Sequence, residues 1–484
     1  MPSRLQDTVA RNTAFLLIAQ VLVKLLAFVA VVVLANQLDV ETFGLFNFVL
    51  AFASLFVPLA DLGIDTFLVR ELAAHPERHA MLAGSAIRLK LLSGFFTLGL
   101  ILAGYALVPK EGVSVGLMSL AALLVVLRSA PGTISAFFRA RQLMGPDSLI
   151  QVGAKIFEFL AITIALLSHA SLWGLFGWLF VGSLVQLCVA LWMAHRNGYL
   201  TGMTVDRDTV RLLVRGGVPF AATGISAMVY FHVDAVLLAY LVGEAETGLY
   251  RAATNIMFAA SGFSAAVVLA LFPMVAEQHE RNRDETVRLA ANAVTYSLLL
   301  ALPMAVGGAT LAGPLIKSLY RSTYAGAEPV LMVLLWWLPI SFVTNIFGYV
   351  LGAIGRQSTV LRVTVANAIF NIVLNLVLIP VVGALGAAIT TVATEVLGFF
   401  LLRGTVARHF GGIIDPSRVA RIALASAPLV LLTFLGDILH VALLIALGML
   451  LYAVTAFAVR AITPHEVRYL LNLVRRTRPT ATST

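Results

Sequence analysis

Stretches such as LLIAQVLVKLLAFVAVVVLA, some twenty residues with one charge, recur along nearly the whole chain. A hydrocarbon core of ~30 Å is crossed by about 20 helical residues rising ~1.5 Å each. By that ruler the runs fall at 12–35, 43–68, 88–108, 115–137, 148–168 and 173–194. They continue at 217–242, 249–275, 288–311, 329–354, 359–382 and 384–406, and end with 419–436 and 438–460. Their length suits helices rather than the short alternating strands of a membrane barrel. The expected fold is therefore all-α and integral to the membrane, with about fourteen transmembrane helices. Composition agrees: 60% of the 484 residues are hydrophobic and 12% charged, against roughly 45–50% and 25% in soluble domains.

The first run is too long for a signal-peptide core, contains Lys24 and lacks a small-residue cleavage pattern, so a retained span is expected. The single cysteine, Cys188, lies in an apolar run, which leaves neither a disulfide framework nor a cysteine metal site. No metal is expected.

Basic residues set the expected orientation. With a cytoplasmic N-terminus, 26 of the 33 Lys and Arg, including Arg70 and Lys90, fall on cytoplasmic loops and helix ends. The outer loops hold Lys110, Lys317 and Arg321, and four lie at membrane depth: Lys24, Arg128, Lys155 and Arg251. Both termini are thus expected inside. The pI near 9.9 needs no nucleic acid, because the basic residues face anionic membrane lipids.

Two segments offset by 204 residues echo one another. LANQLDVETFGLFNF from Leu34 and LAYLVGEAETGLYRA from Leu238 share an acidic turn followed by Gly-Leu-aromatic, placing Gly44 on Gly248. Arg141-Gln142 with Ile156-Phe157 echoes Arg356-Gln357 with Ile369-Phe370 at offsets of 215 and 213. The expected organisation is an N-lobe at 1–195 (spans one to six), a cytoplasmic amphipathic linker at 196–216 and a C-lobe at 217–407 (spans seven to twelve). Two appended spans occupy 408–462, and an amphipathic helix with a disordered tail occupies 463–484. Even-numbered repeats are parallel, and a central cavity between the two six-helix lobes is where substrate would bind.

A charge inside the bilayer is costly and needs a partner, a wet cavity or a function. Lys24 is mid-span with no acid one turn away, so it lines a cavity or serves structure. Lys155 has Glu158 at i+3 as an intrahelical partner. Arg128 precedes Pro131, whose kink frees carbonyls the guanidinium could bond. Asp234 and Arg251 flank one hairpin; they form an ion pair, or Arg251 faces an outward cavity tuned by Asp234. Asp61 and Asp65 read as packing groups that partner Arg70, in preference to an ion site. Glu395 is a coupling site or a buried neutral acid. Asn367, Asn371 and Asn375 share a helix face, as interhelical glue or as sugar ligands. Nucleophile-elbow, Walker A and HExxH patterns are missing, as is a pair of outer-loop carboxylates for glycosyl transfer. A transporter is expected rather than an enzyme.

The segment LANQLDVETFGLFNFVLAFASLFVPLADLGIDTFLVREL resembles the N-terminal signature of bacterial polysaccharide-repeat flippases. HVDAVLLAYLVGEAETGLYRAA, LFPMVAE, LYRSTYAGAEPVLMVLLW and IPVVGALGAAITTVATE resemble their second half, in order, over about residues 12–400. These flippases share a superfamily with multidrug extruders and the lipid II flippase. The resemblance implies alternating-access movement of an undecaprenyl-diphosphate-linked oligosaccharide from the cytoplasmic to the periplasmic leaflet of the bacterial inner membrane. It implies no ATP hydrolysis, no cofactor beyond an H+ or Na+ coupling ion, and polysaccharide polymerase or assembly proteins as partners. Cationic cavity residues would meet the diphosphate; Lys24 and Arg251 match such sites by position, joined here by Arg128 and Lys155. Asp234, Glu395, Glu158, Asp61 and Asp65 are the coupling groups or charge partners. Family members usually carry arginine just after the "LA" of span one, where this chain has Asn36. The alternatives are a cation-coupled multidrug exporter on the same scaffold, a lipid II flippase, and a non-transporting scaffold of a synthesis complex.

Overall fold

The computed structural model describes residues 2–279, 283–436 and 438–462; the amphipathic helix and tail expected at 463–484 lie outside them. The described elements are all helical. The first lobe opens with α1 (Pro2–Gln37) and a broken second span: α2 (Val40–Ser54), α3 (Val57–Asp61) and α4 (Ile64–Ala74). Pro58 removes a backbone donor there, and Leu62 and Gly63 both turn through positive φ. Four unbroken helices complete it: α5 (His79–Leu107), α6 (Val115–Ala140), α7 (Met144–Leu167) and α8 (Leu172–Arg196).

The second lobe holds α9 (Arg207–Leu241), α10 (Glu244–His279) and α11 (Arg283–Thr310). The short α12 (Ala312–Leu319) and α13 (Ala327–Leu334) follow, then α14 (Trp337–Ala353) and the long α15 (Gln357–Phe410). α15 is two spans, broken at Val382 and Gly383 just after Pro380. α16 (Pro416–Ser426), prolonged by a 3-10 stretch at Ala427–Leu435, and α17 (Val441–Ala458) end the described chain. Twelve helical stretches are long and apolar enough to cross a membrane. The break in α15 divides one of them into two spans, and α10, of 36 residues, lies outside the twelve, so the described residues hold twelve to fourteen candidate crossings. The chain is a multi-pass membrane protein.

Helix starts follow side-chain chemistry. Asp39, Ser114, Ser171, Asp206 and Asp415 each accept a hydrogen bond from a backbone amide of the turn they cap. The amide and hydroxyl of Thr209 hold Asp206 below the usual carboxylate range. That cap makes residues 207–216 the first turns of α9, continuous with the seventh span instead of a separate surface helix. Leu213 is buried there, while Arg207, Arg211 and Arg215 are exposed.

The end of the bundle at which α4, α6 and α8 finish carries Arg70, Arg78, Arg139 and Arg196, and is called the basic face below. At the opposite face the lobes are tied together. Asn36 Nδ2 donates to the Leu319 carbonyl at 2.6 Å, Tyr324 OH to that of Ala35 at 3.0 Å, and Tyr240 OH to that of Val108 at 2.6 Å. Lys110 and Glu244 form an ion pair at 3.0 Å. The largest core cluster spans both lobes and includes fully buried Phe43, Phe48, Phe176, Tyr324 and Phe342. α16 and α17 lie against α11, with Leu429, Leu432 and Leu444 packed around Leu311.

The two repeat-related glycines meet at this closed seam. A Cβ on Gly44 would sit 1.8 Å from the Glu244 carbonyl oxygen, and one on Gly248 would sit 2.4 Å from that of Val40. Only glycine lets α2 and α10 approach so closely. Gly44→Ala is expected to destabilise the protein by about 1–3 kcal/mol through overpacking, read as a lower melting temperature in detergent. An unchanged melt would mean that the crossing is looser than described.

Candidate functional site

The charges at membrane depth gather around four sets of acids, Glu158, Asp61 with Asp65, Asp234 and Glu395, while among the described residues the cations Lys24 and Arg251 have no carboxylate within ion-pair distance. In the first lobe Glu158 lies between Lys155, with Nζ 2.7 Å from Oε2, and Arg128, with Nη2 3.5 Å from Oε1. Arg128 Nε also donates to Ser183 Oγ at 3.3 Å. The expected Lys155–Glu158 pair forms, but Arg128 turns to a carboxylate and a hydroxyl on α7 and α8 instead of the carbonyls near Pro131. A full negative charge attracts a guanidinium more strongly than a carbonyl dipole does.

The second cluster corrects the reading of Asp61 and Asp65. Arg70 is exposed, and the two carboxylates converge on Lys90 of α5, at 2.5 Å and 2.9 Å. Thr133 Oγ1 donates to the other oxygen of Asp65 at 2.6 Å. Gly132 makes room for this: a Cβ there would lie 2.2 Å from Asp65 Oδ2. Lys90 is only 7% exposed; counting it with the basic face concealed its role. Part of the signal was available, because two carboxylates four residues apart in the membrane require a cation; it is the break at Leu62 and Gly63, not a shared helix face, that turns both toward Lys90.

In the second lobe the hairpin ion pair gives way to a polar network. Asp234 is 2% exposed and accepts from Tyr250 OH at 2.6 Å, Thr391 Oγ1 at 3.0 Å and Asn375 Nδ2 at 2.6 Å. Asn375 also donates to Asn371 Oδ1 at 3.0 Å, and Asn371 donates to Thr394 Oγ1 at 3.4 Å. Asn371 and Asn375 are thus interhelical glue, while Asn367 faces a cavity. Arg251 does not pair with Asp234: its Nη2 donates to His232 Nδ1 at 3.1 Å, and its buried Nε has no hydrogen-bond partner. A guanidinium can only donate, so Nδ1 is the unprotonated ring nitrogen.

Glu395 accepts from Tyr230 OH at 2.6 Å, Trp337 Nε1 at 3.0 Å and the Thr344 hydroxyl. Tyr230, Trp337, Tyr250 and His232 all belong to these networks, and sequence reasoning passed over them. Aromatic and imidazole donors in an apolar run look like packing until a buried carboxylate is placed beside them.

Lys24 stands apart. It is half-buried, its Nζ donates to Ser261 Oγ at 3.4 Å, and its stem lies along Gly262 of α10. Among the described residues no carboxylate is within ion-pair distance of it. Lys24 therefore places a positive charge on the line where α1 of one lobe meets α10 of the other. Asn36, where an arginine was expected, ties the lobes through the Leu319 carbonyl and offers no charge.

Residues 9–279 match the model of the polysaccharide biosynthesis protein family. The chain belongs to that family. Within the polysaccharide biosynthesis family it also carries a second match, residues 219–377, to the MatE family. It is 24% identical over 431 residues to an uncharacterized membrane protein of Methanocaldococcus jannaschii, covering 82% of this chain and 83% of that one. It is 26% identical over 332 residues to the succinoglycan biosynthesis transport protein ExoT of Rhizobium meliloti, covering 68% and 65%. Its fold is that of the lipid II flippase MurJ in an inward closed conformation, with TM-score 0.74, 15% identity, and 91% and 97% of the two chains covered. The all-helical fold of that flippase is therefore the fold of this chain.

Proposed function

We propose that this protein moves an undecaprenyl-diphosphate-linked oligosaccharide from the cytoplasmic to the periplasmic leaflet by alternating access of its two lobes. The basic face lies in the cytoplasm, and the membrane is the bacterial inner membrane. The observation that carries this reading is Lys24, a cation without a carboxylate partner at the junction of the lobes. A diphosphate in a low-dielectric cavity needs fixed positive charge. Arg128 and Lys155 share one Glu158 and leave one positive charge in surplus, while Lys90 between Asp61 and Asp65 leaves one negative charge, so these two first-lobe clusters balance and Lys24 stands beyond them. Family membership and the transporters and flippases among the relatives support the same class of activity. Polysaccharide polymerase and assembly proteins are the natural partners.

If transport is coupled to H+ or Na+, the buried acids Asp234 and Glu395 are the groups that would hold the ion. The cation-coupled drug exporter draws support from the MatE match, but it would use a cavity of net negative character, against the free charge of Lys24.

The test is translocation in proteoliposomes carrying a fluorescent undecaprenyl-diphosphate oligosaccharide, followed by its exposure to an impermeant quencher. Wild type is expected to expose the lipid. Lys24→Ala is expected to lose about 10-fold or more of the rate, the equivalent of one charge-assisted contact, with an unchanged melting temperature, and Lys24→Arg to regain much of it. Full activity in Lys24→Ala, or efflux of organic cations without glycolipid exposure, would overturn the proposal.

A further inference from the structure

Two cavities of different chemistry flank the membrane-embedded part of α9. The first, of about 340 Å³, is lined by the Lys90–Asp61–Asp65 cluster and Arg128, with Phe220, Gly224 and Met228 of α9 as its wall. The second, of about 480 Å³, lies on the other side of α9, within the second lobe. Thr223, Asn345, Tyr349, Thr364 and Asn367 supply hydroxyls and amides to its wall, with Glu395 as its one carboxylate. No Lys or Arg lines it. Its size is within the ~300–1,000 Å³ of ordinary small-molecule pockets, and such sites use a few placed polar groups to fix orientation.

Two details mark this as more than a gap. The Glu395 oxygens are engaged by three neutral donors, Tyr230, Trp337 and Thr344, so this acid is held in place at the cavity wall. Asn367 has its Oδ1 buried with no hydrogen-bond partner among the described residues. A buried carbonyl acceptor left unsatisfied is unfavourable by roughly 1–3 kcal/mol, and a rotation of this partly exposed, cavity-lining amide would bring it to a ligand hydroxyl. Gly398 holds the amide in this position: a Cβ there would come within 2.4 Å of Asn367 Nδ2.

We propose that this cavity is the subsite for an uncharged, hydroxyl-rich sugar of the transported glycolipid. The inference rests on the flippase reading above and adds a location and a selectivity to it. Hydroxyl, amide and carboxylate groups without a cation match the donor and acceptor pattern of a neutral saccharide. The same set offers no cation to a phosphate or a uronic acid, so the diphosphate stays on the Lys24 side while the sugar occupies the second lobe.

The experiment uses the full-length protein in proteoliposomes with three probes: undecaprenyl diphosphate, its derivative carrying a neutral disaccharide, and its derivative carrying a uronic acid disaccharide. Wild type is expected to move the neutral glycolipid at least about 10-fold faster than the acidic one. Asn367→Ala and Gly398→Ala are each expected to slow the neutral glycolipid by about 10-fold, the effect of one or two lost hydrogen bonds. Binding of the sugar-free lipid and the melting temperature are expected to stay as in wild type. Equal rates for neutral and acidic glycolipids, unchanged transport by both variants, or a parallel loss of sugar-free lipid binding would each overturn the subsite while leaving the flippase reading intact. Wild type that moves no glycolipid at all would remove the flippase reading itself, and the subsite with it.

Discussion

Lys90→Met is expected to destabilise the folded protein by about 3–5 kcal/mol, the range for breaking a buried ion pair from one side. The lysine is 7% exposed and holds two carboxylates at 2.5 and 2.9 Å. Without it, Asp61 and Asp65 face each other in the membrane with only Thr133 as a further donor to Asp65. A single unpaired carboxylate at that depth is unfavourable by roughly 2.5–3.5 kcal/mol on insertion scales, so the Coulomb loss dominates over the packing change, which methionine nearly preserves. The measurement is thermal melting in detergent of Lys90→Met beside the triple variant Lys90→Met, Asp61→Asn, Asp65→Asn. Since replacing a whole buried ionic cluster is often close to neutral, the triple variant is expected to recover most of the loss. A single variant that melts like wild type, or a triple variant that melts no higher than the single one, would show that the cluster is not held by charge.

Asp234→Ala is the second large effect. It strips the acceptor from Tyr250 of α10 and from Asn375 and Thr391, on the two halves of α15. Interhelical hydrogen bonds in membranes average ~0.6 kcal/mol and reach ~1.7, so three lost at once, with a cavity added, destabilise by about 2–4 kcal/mol. Asp234→Asn keeps the volume but brings an NH2 group against hydroxyl and amide donors, and an intermediate loss is expected. Equilibrium unfolding of the three proteins in one detergent provides the check. An order in which Asp234→Asn is the least stable, or in which neither variant differs from wild type, would contradict the role of Asp234 as the shared acceptor.

The two predictions fall on opposite sides of what the chain discloses by itself. Asp234 is visible in the sequence as a lone acid inside YFHVDAVLLAY, and its burial follows from that setting alone. Its partners do not follow. The nearby Arg251 is closest in sequence among the cations, yet it bonds His232, while Asp234 is satisfied by groups 16, 141 and 157 residues away. Lys90 shows the reverse: its partners were conspicuous as an i, i+4 pair, and the lysine itself was hidden among the many basic residues of one face. Glu158 was the simplest case. Lys155 lies one turn away on the same helix, so the local geometry of α7 already dictated the contact, whereas Arg128 reached it only through the packing of α6 on α7.

The membrane environment, the multi-span all-helical fold, the division of spans at 382–384 and the repeat that brings Gly44 into register with Gly248 were all readable from the chain. Each depends on properties that act within a span: apolar length, helix-breaking residues and a period along the sequence. Which charges pair, which acid is shared and which cations, Lys24 and Arg251, are left without a carboxylate depended on the packing of helices distant in sequence. In a medium that supplies no water, a polar group takes the nearest donor or acceptor in space. The meeting of α1 with α10 leaves Lys24 beside a serine rather than a carboxylate, and that tertiary contact separates a structural lysine from a candidate substrate cation.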